Sequence, residues 1–182
     1  MLVTGPTRAP QVTDRRVVEL SDPDVPASRQ PYHAGFGTAQ TNRAAVERLT
    51  AIIERCARRS IRALVRRYVA EGHRLSGVGV VIGSATDPER ITSPHIRAHA
   101  SEGRLFRTVV EKAAARCGLR CHTVVERELP AHAARVLKRP ERELKRVVTE
   151  LGRAVAGPWR AEEKVATLAA WTVLASRRRS VS

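Results

Sequence analysis

The chain has 182 residues, 42% of them apolar but only 3% aromatic, which leaves room for one domain whose core is Ala, Val, Leu and Ile rather than rings. Its 33 basic and 18 acidic residues give a formal charge of +15, which suits a nucleic acid or another polyanion as partner. The longest nearly apolar run, residues 165–175, falls short of the roughly 20 residues a spanning helix needs, so no membrane partner is expected.

The basic excess is mostly arginine. The lysines are Lys112, Lys138, Lys145 and Lys164. A GC-rich coding bias writes the same Arg-, Ala- and Val-rich composition, so the charge speaks to association and not to fold. The opening "MLVTGPTRAP" lacks the apolar run of a secretory signal, and an odd number of cysteines fits reduced thiols. The expected location is cytoplasmic.

Residues 1–31 hold five of the ten prolines and read as a flexible Pro-rich arm, with "RRVVEL" (15–20) as its one strand candidate. A single α/β domain is expected over 32–178, followed by a basic tail at 179–182. "YHAGFGTAQTN" (32–42) is a Gly-punctuated strand or loop leading into a helix.

From Asn42 to Gly72, apolar residues at Val46, Leu49, Ile53, Cys56, Ile61, Leu64 and Tyr68 follow helical spacing. Gly72 stands where a C-terminal cap belongs. On the other side Arg48, Arg55, Arg59, Arg62 and Arg66 form an arginine stripe, the candidate nucleic-acid-binding face. A solvated face neutralised by Glu47, Glu54 and Glu71 accounts for the same pattern. Tyr32 and Phe36 lie far from the stripe in sequence, so no aromatic interleaving supports base stacking.

"GVGVVIGS" (77–84) has the β-branched, glycine-bounded character of a buried strand. Its glycines precede the strand's end, and the next helix starts about ten residues later, so they do not make a dinucleotide fingerprint.

That next helix opens at "SPHIRAHASEGRLFR" (93–107), with Ser93 as N-cap and Pro94 at the first helical position. It is expected to run to Cys117, with Gly118 as its cap. A helix turns by roughly 100° per residue. Measured from His95, His99 then lies at about 40°, Glu102 at about −20° and Phe106 at about 20°. Three ionisable side chains therefore head the stripe that continues through Phe106, Val109, Val110 and Ala113. In an open α/β sheet this end faces the carboxyl edge, where ligands bind.

Buried polar groups there must be satisfied. Three readings do so: a structural hydrogen-bonded network around Glu102; a metal site, since histidines at i and i+4 can share a cation that Glu102 completes; or acid–base and anion chemistry. In the third, the first-turn N–H groups and Arg97 would hold a phosphate beside His95.

Residues 119–126 are the second strand candidate. They place Glu126 at the same sheet edge, where a solvated strand end is the plainer account. Helices are expected near 130–137, 140–152 and 160–176. Glu163, in the first turn of the last one, complements the helix dipole. In a sharper reading Glu102, Glu126 and Glu163 converge to hold Mg²⁺ for phosphodiester cleavage. Cys117, Cys121 and His122 are too isolated a cluster to make a strong zinc signal.

The expected fold is α/β, a small mostly parallel sheet flanked by helices with a helix-rich C-terminal half. The expected function is an enzyme acting on a phosphate-bearing substrate, such as a metal-dependent nuclease or phosphoesterase. His95, His99, Glu102 and Arg97 are its catalytic candidates. His95, His99, Glu102, Glu126 and Glu163 are the candidate ligands of a divalent ion, Mg²⁺ or Zn²⁺. The alternatives are a non-catalytic nucleic-acid-binding module using the arginine face, and a structural partner in a larger assembly. The sequence carries no signal of oligomeric state.

Overall fold

The computed structural model describes residues 1–176, so the basic tail expected at 179–182 lies outside the described residues. The chain is α/β, as its alternating strand and helix patterns predict. Its described residues carry five α-helices, one parallel strand pair and two antiparallel pairs, and their C-terminal half is rich in helix. The described residues gather into two compact units, each assembled from separate stretches of chain.

The first unit comprises Met1–Val17, Ser76–Gly83 and residues 119–176. Strands β1 (Leu2–Thr4) and β2 (Gln11–Asp14) pair antiparallel. The strand expected at 15–20 is not formed. The extended segment lies at 11–14 instead, where β1 supplies a partner and buries Leu2 and Val3.

Two further strands, β5 (Val78–Ile82) and β6 (Cys121–Val125), pair parallel in unbroken register from Val78 opposite Cys121 to Ile82 opposite Val125. Three helices complete the unit: α3 (Leu129–Leu137), α4 (Glu141–Leu151) and α5 (Ala161–Ser176). Helix α3 ends on Lys138 in the left-handed region at φ 54°. This is a conformation that costs a side chain more than it costs glycine.

Helix α5 lies hard against β5, and the strand glycines permit it. A Cβ on Gly79 would stand 2.9 Å from the backbone carbonyl carbon of Ala169. Such glycines mark close approach of backbones. They are packing residues, in keeping with their position before any helix. The core of the unit is Val3, Ala133, Leu137, Leu144, Val148 and Trp171. Trp171 is completely buried, and its Nε1–H donates to the Thr7 carbonyl at 3.0 Å. A buried indole needs such an acceptor.

The second unit comprises Val18–Leu75 and Ser84–Gly118. A short hairpin, β3 (His33–Gly35) and β4 (Thr38–Ala39), leads into α1 (Arg43–Ala70). The Asn42 side chain caps α1 by accepting from the Ala45 N–H, and Gly72 follows the helix at φ +84°. Helix α2 spans Pro94–Ala115, with Pro94 in its first turn; the Ser93 side chain makes no capping bond.

The two helices pack through Ile53 and Ala57 of α1 against Leu105, Phe106 and Val109 of α2. The apolar stripes read from the sequence meet there. An ion pair between Lys112 and Glu54 at 3.4 Å also joins them. No helix among the described residues is long and apolar enough to cross a membrane.

Candidate metal centre

The second unit builds its site where α2 begins. Pro94 sets the first turn, so His95, His99 and Glu102 rise on one face over successive turns. Across from them stands His33, the first residue of β3. Its Nδ1 lies 2.8 Å from Oε1 of Glu102, and both side chains are nearly buried, 5% and 10% exposed. The Tyr32 N–H reaches the same oxygen at 3.4 Å. His99 Nδ1 is 3.7 Å from the other carboxylate oxygen, beyond hydrogen-bond length, and its side chain is 53% exposed.

The three imidazoles crowd together. Ring centroids are 5.3 Å apart for His33 and His95, 4.5 Å for His33 and His99, and 4.6 Å for His95 and His99. One ligating atom from each lies within 4.8 Å of the others. Among the described residues this is the one group of three such side chains close enough to share an ion.

The decisive atom is Nε2 of His33, which is buried with no hydrogen-bond partner. With Nδ1 donating to Glu102, the neutral ring would carry its lone pair on Nε2. Buried acceptors are almost always satisfied. An imidazole held by a carboxylate on one nitrogen and free on the other is the usual arrangement of a metal-ligating histidine.

Of the candidates read from the sequence, the structure brings His95, His99 and Glu102 together. Arg97 lies about 200° around the helix from His95. Its guanidinium donates to the Ile91 carbonyl at 2.7 Å and the Thr92 carbonyl at 3.2 Å, so it fastens the loop before α2.

Glu126 and Glu163 belong to the first unit. Glu126 opens the short turn after β6 and lines a cleft of about 460 Å³ with Leu129, Leu144, Lys145 and Lys164. Glu163 pairs with Arg15 at 2.8 Å, and its other oxygen accepts the Arg160 N–H. The Arg15 hydrogen bond, then the Arg160 N–H, hold its carboxyl below the ordinary carboxylate range.

The five stripe arginines, Arg48, Arg55, Arg59, Arg62 and Arg66, are all exposed along α1. Cys56 is buried and Cys117 and Cys121 are half-buried; none of the three is in a disulfide.

His33 was not among the sequence candidates. It stands 69 residues from Glu102 in the chain, on a hairpin too short to show periodicity. Its sequence signal is slight: a histidine close to two glycines, just before a long helix.

No known protein family matches the chain, and neither does any curated protein or any solved structure. The site is therefore read from its own geometry.

Proposed function

We propose that this chain holds a divalent transition-metal ion, zinc in preference to magnesium, on His33, His95 and His99, and that it hydrolyses a phosphate ester there. The observation that carries this reading is the unpartnered, buried Nε2 of His33 beside two further imidazoles. Three neutral nitrogen donors suit Zn²⁺, whereas Mg²⁺ takes oxygen ligands. Nitrogens on a tetrahedral zinc stand roughly 3.3 Å apart, from bonds of about 2.0–2.1 Å. The rings must therefore draw in from their present separation, and exposed His99 has the freedom to do so.

Three protein ligands leave a fourth position open, the pattern of catalytic rather than structural zinc. An ion so held lowers the pKa of its water and polarises a phosphoryl oxygen. The residues do the rest. Glu102 fixes the ring and tautomer of His33. The Tyr32 N–H helps to hold that carboxylate. The +15 charge favours an anionic substrate.

The second reading is a purely architectural network, favoured by the short His33–Glu102 bond. One experiment separates them. The purified chain is stripped with chelator and titrated with Zn²⁺ in a calorimeter, and the loaded protein is offered bis(4-nitrophenyl) phosphate. The metal reading expects one ion per chain, lost in His33→Ala/His95→Ala, and ester hydrolysis that is lost with it. Zn²⁺ uptake that is absent, or unchanged in the double variant, leaves the architectural network. Stoichiometric binding without hydrolysis leaves a metal site and removes the enzyme.

A further inference from the structure

We infer that the exposed arginine face of α1 is a docking surface for the phosphate backbone of double-stranded DNA. This goes beyond the metal reading and does not depend on it. Where both hold, the ester cleaved is a phosphodiester of that duplex.

The geometry is simple. Measured around the helix from Arg48, Arg55 falls at about −20°, Arg59 at about 20°, Arg62 at about −40° and Arg66 at about 0°. The five guanidinium groups thus form a strip about 60° wide and about 27 Å long. The opposite side of α1 buries Leu49, Ile53, Ala57, Ile61 and Tyr68. The strip is the outward face of a helix anchored along its length.

The plainer account of such a strip is neutralisation by nearby acids, and the ion pairs decide against it. Glu47 accepts from Arg43 at 2.9 Å, Glu71 from Arg67 at 2.8 Å, and Glu54 from Lys112 at 3.4 Å. Every acidic residue of α1 and its cap is engaged by a cation outside the strip. Among the described residues none of the five strip arginines pairs with a carboxylate; Arg59 touches only the Cys56 sulfur, at 3.9 Å. Like charges three and four residues apart on a helix destabilise it. The strip holds Arg55 with Arg59, Arg59 with Arg62, and Arg62 with Arg66 at those spacings. A polyanion relieves that repulsion and releases counterions as it binds.

The choice of duplex follows from what the strip lacks. Proteins that hold single strands stack bases on aromatic side chains. Tyr68, the aromatic residue of α1, is buried. A helix fits the roughly 12 Å wide major groove of B-DNA, whereas the major groove of A-form RNA is too deep and narrow for it.

The test uses the metal-free full chain and a fluorescent 20-base-pair DNA of mixed sequence, with anisotropy followed over a range of NaCl. Each phosphate contacted contributes a slope of about −0.9 in log K against log salt. Five contacts predict about −4.5. The triple variant R55Q/R59Q/R62Q is expected to lower the slope's magnitude by about 2.7, with its circular dichroism unchanged. R59Q alone should lower it by about 0.9, so the inference is tested even where the triple variant folds poorly. R43Q/R67Q, which removes paired arginines, should leave the strip's share of the slope in place. H33A/H95A should bind the duplex as the parent does, which keeps failure of the metal reading distinct from failure of this one. Absence of duplex binding at low salt overturns the inference. So does an unchanged slope in both strip variants, or single-stranded DNA or duplex RNA binding as tightly as duplex DNA.

Discussion

His33 and Glu102, 69 residues apart in the chain, meet at 2.8 Å with both side chains nearly out of solvent. The bond fastens the hairpin of β3 and β4 to α2 and fixes which ring nitrogen of His33 keeps its lone pair. In the proposed centre a carboxylate used in this way would orient a ligand rather than serve as one.

Glu102→Gln therefore tests orientation without removing a metal ligand. The amide keeps the size and one acceptor oxygen but loses the carboxylate charge facing His33 Nδ1. Zn²⁺ affinity is expected to fall about 10- to 100-fold with the fold intact, measured by competition with a chromophoric chelator. An unchanged affinity would show that Glu102 plays no part in holding His33 as a ligand.

Zinc should also stabilise the folded chain by mass action. At a free concentration 100 times the dissociation constant the gain is about 2.7 kcal/mol. The thermal midpoint of the parent is expected to rise with Zn²⁺, and that of His33→Ala/His95→Ala to stay where it was. Calorimetric scans at matched protein concentration check this.

The glycines of β5 make a separate forecast about stability. Gly79→Ala drives a methyl group to 2.9 Å from the Ala169 carbonyl carbon, a backbone atom that cannot swing away. Overpacking of this kind costs about 1–3 kcal/mol. Gly83→Ala meets nothing within 4 Å and serves as the control. Urea denaturation of the two variants should separate them clearly; equal midpoints would mean that α5 yields.

Acid should weaken the Arg15–Glu163 pair in a defined window. The Glu163 carboxyl is lowered from its ordinary value of 4.5 by the Arg15 and Arg160 bonds. The folded chain thus binds that proton more weakly than the unfolded one. The pair's contribution is complete above the unfolded value and is lost as pH falls through the lower folded one. The stability gap between parent and Glu163→Gln is expected to be flat at neutral pH and to close below about pH 4.5. Denaturant midpoints taken between pH 3 and 7 test it.

Much of this was legible before the fold was known. Helical arithmetic put His95, His99 and Glu102 on one face, because a helix repeats by a fixed angle and Ser-Pro marks its start. The same arithmetic placed the arginines of α1 on one side and the core on the other. What it could not supply were contacts across the chain. His33 reaches the site through a hairpin whose pairing leaves no periodic trace. The acids of α1 looked like partners for the stripe until Glu54 was seen to reach Lys112 on α2. "RRVVEL" has the composition of a strand, yet it carries the chain from one unit to the other, and Val17 is 91% exposed. Composition names a preference, and a neighbouring edge decides whether it is used.

Two of the three imidazoles ride on a single helix and keep their spacing, while the third comes from a loop whose glycines at 35 and 37 have open space around them. Assembling the centre is accordingly a meeting of two stretches of backbone. An ion bridging them would be a second clasp beside the His33–Glu102 bond, and its departure would leave the loop held to the helix by that bond alone. Slowed amide exchange across residues 33–39 on adding Zn²⁺ would then report occupancy directly, with no substrate and no colour needed.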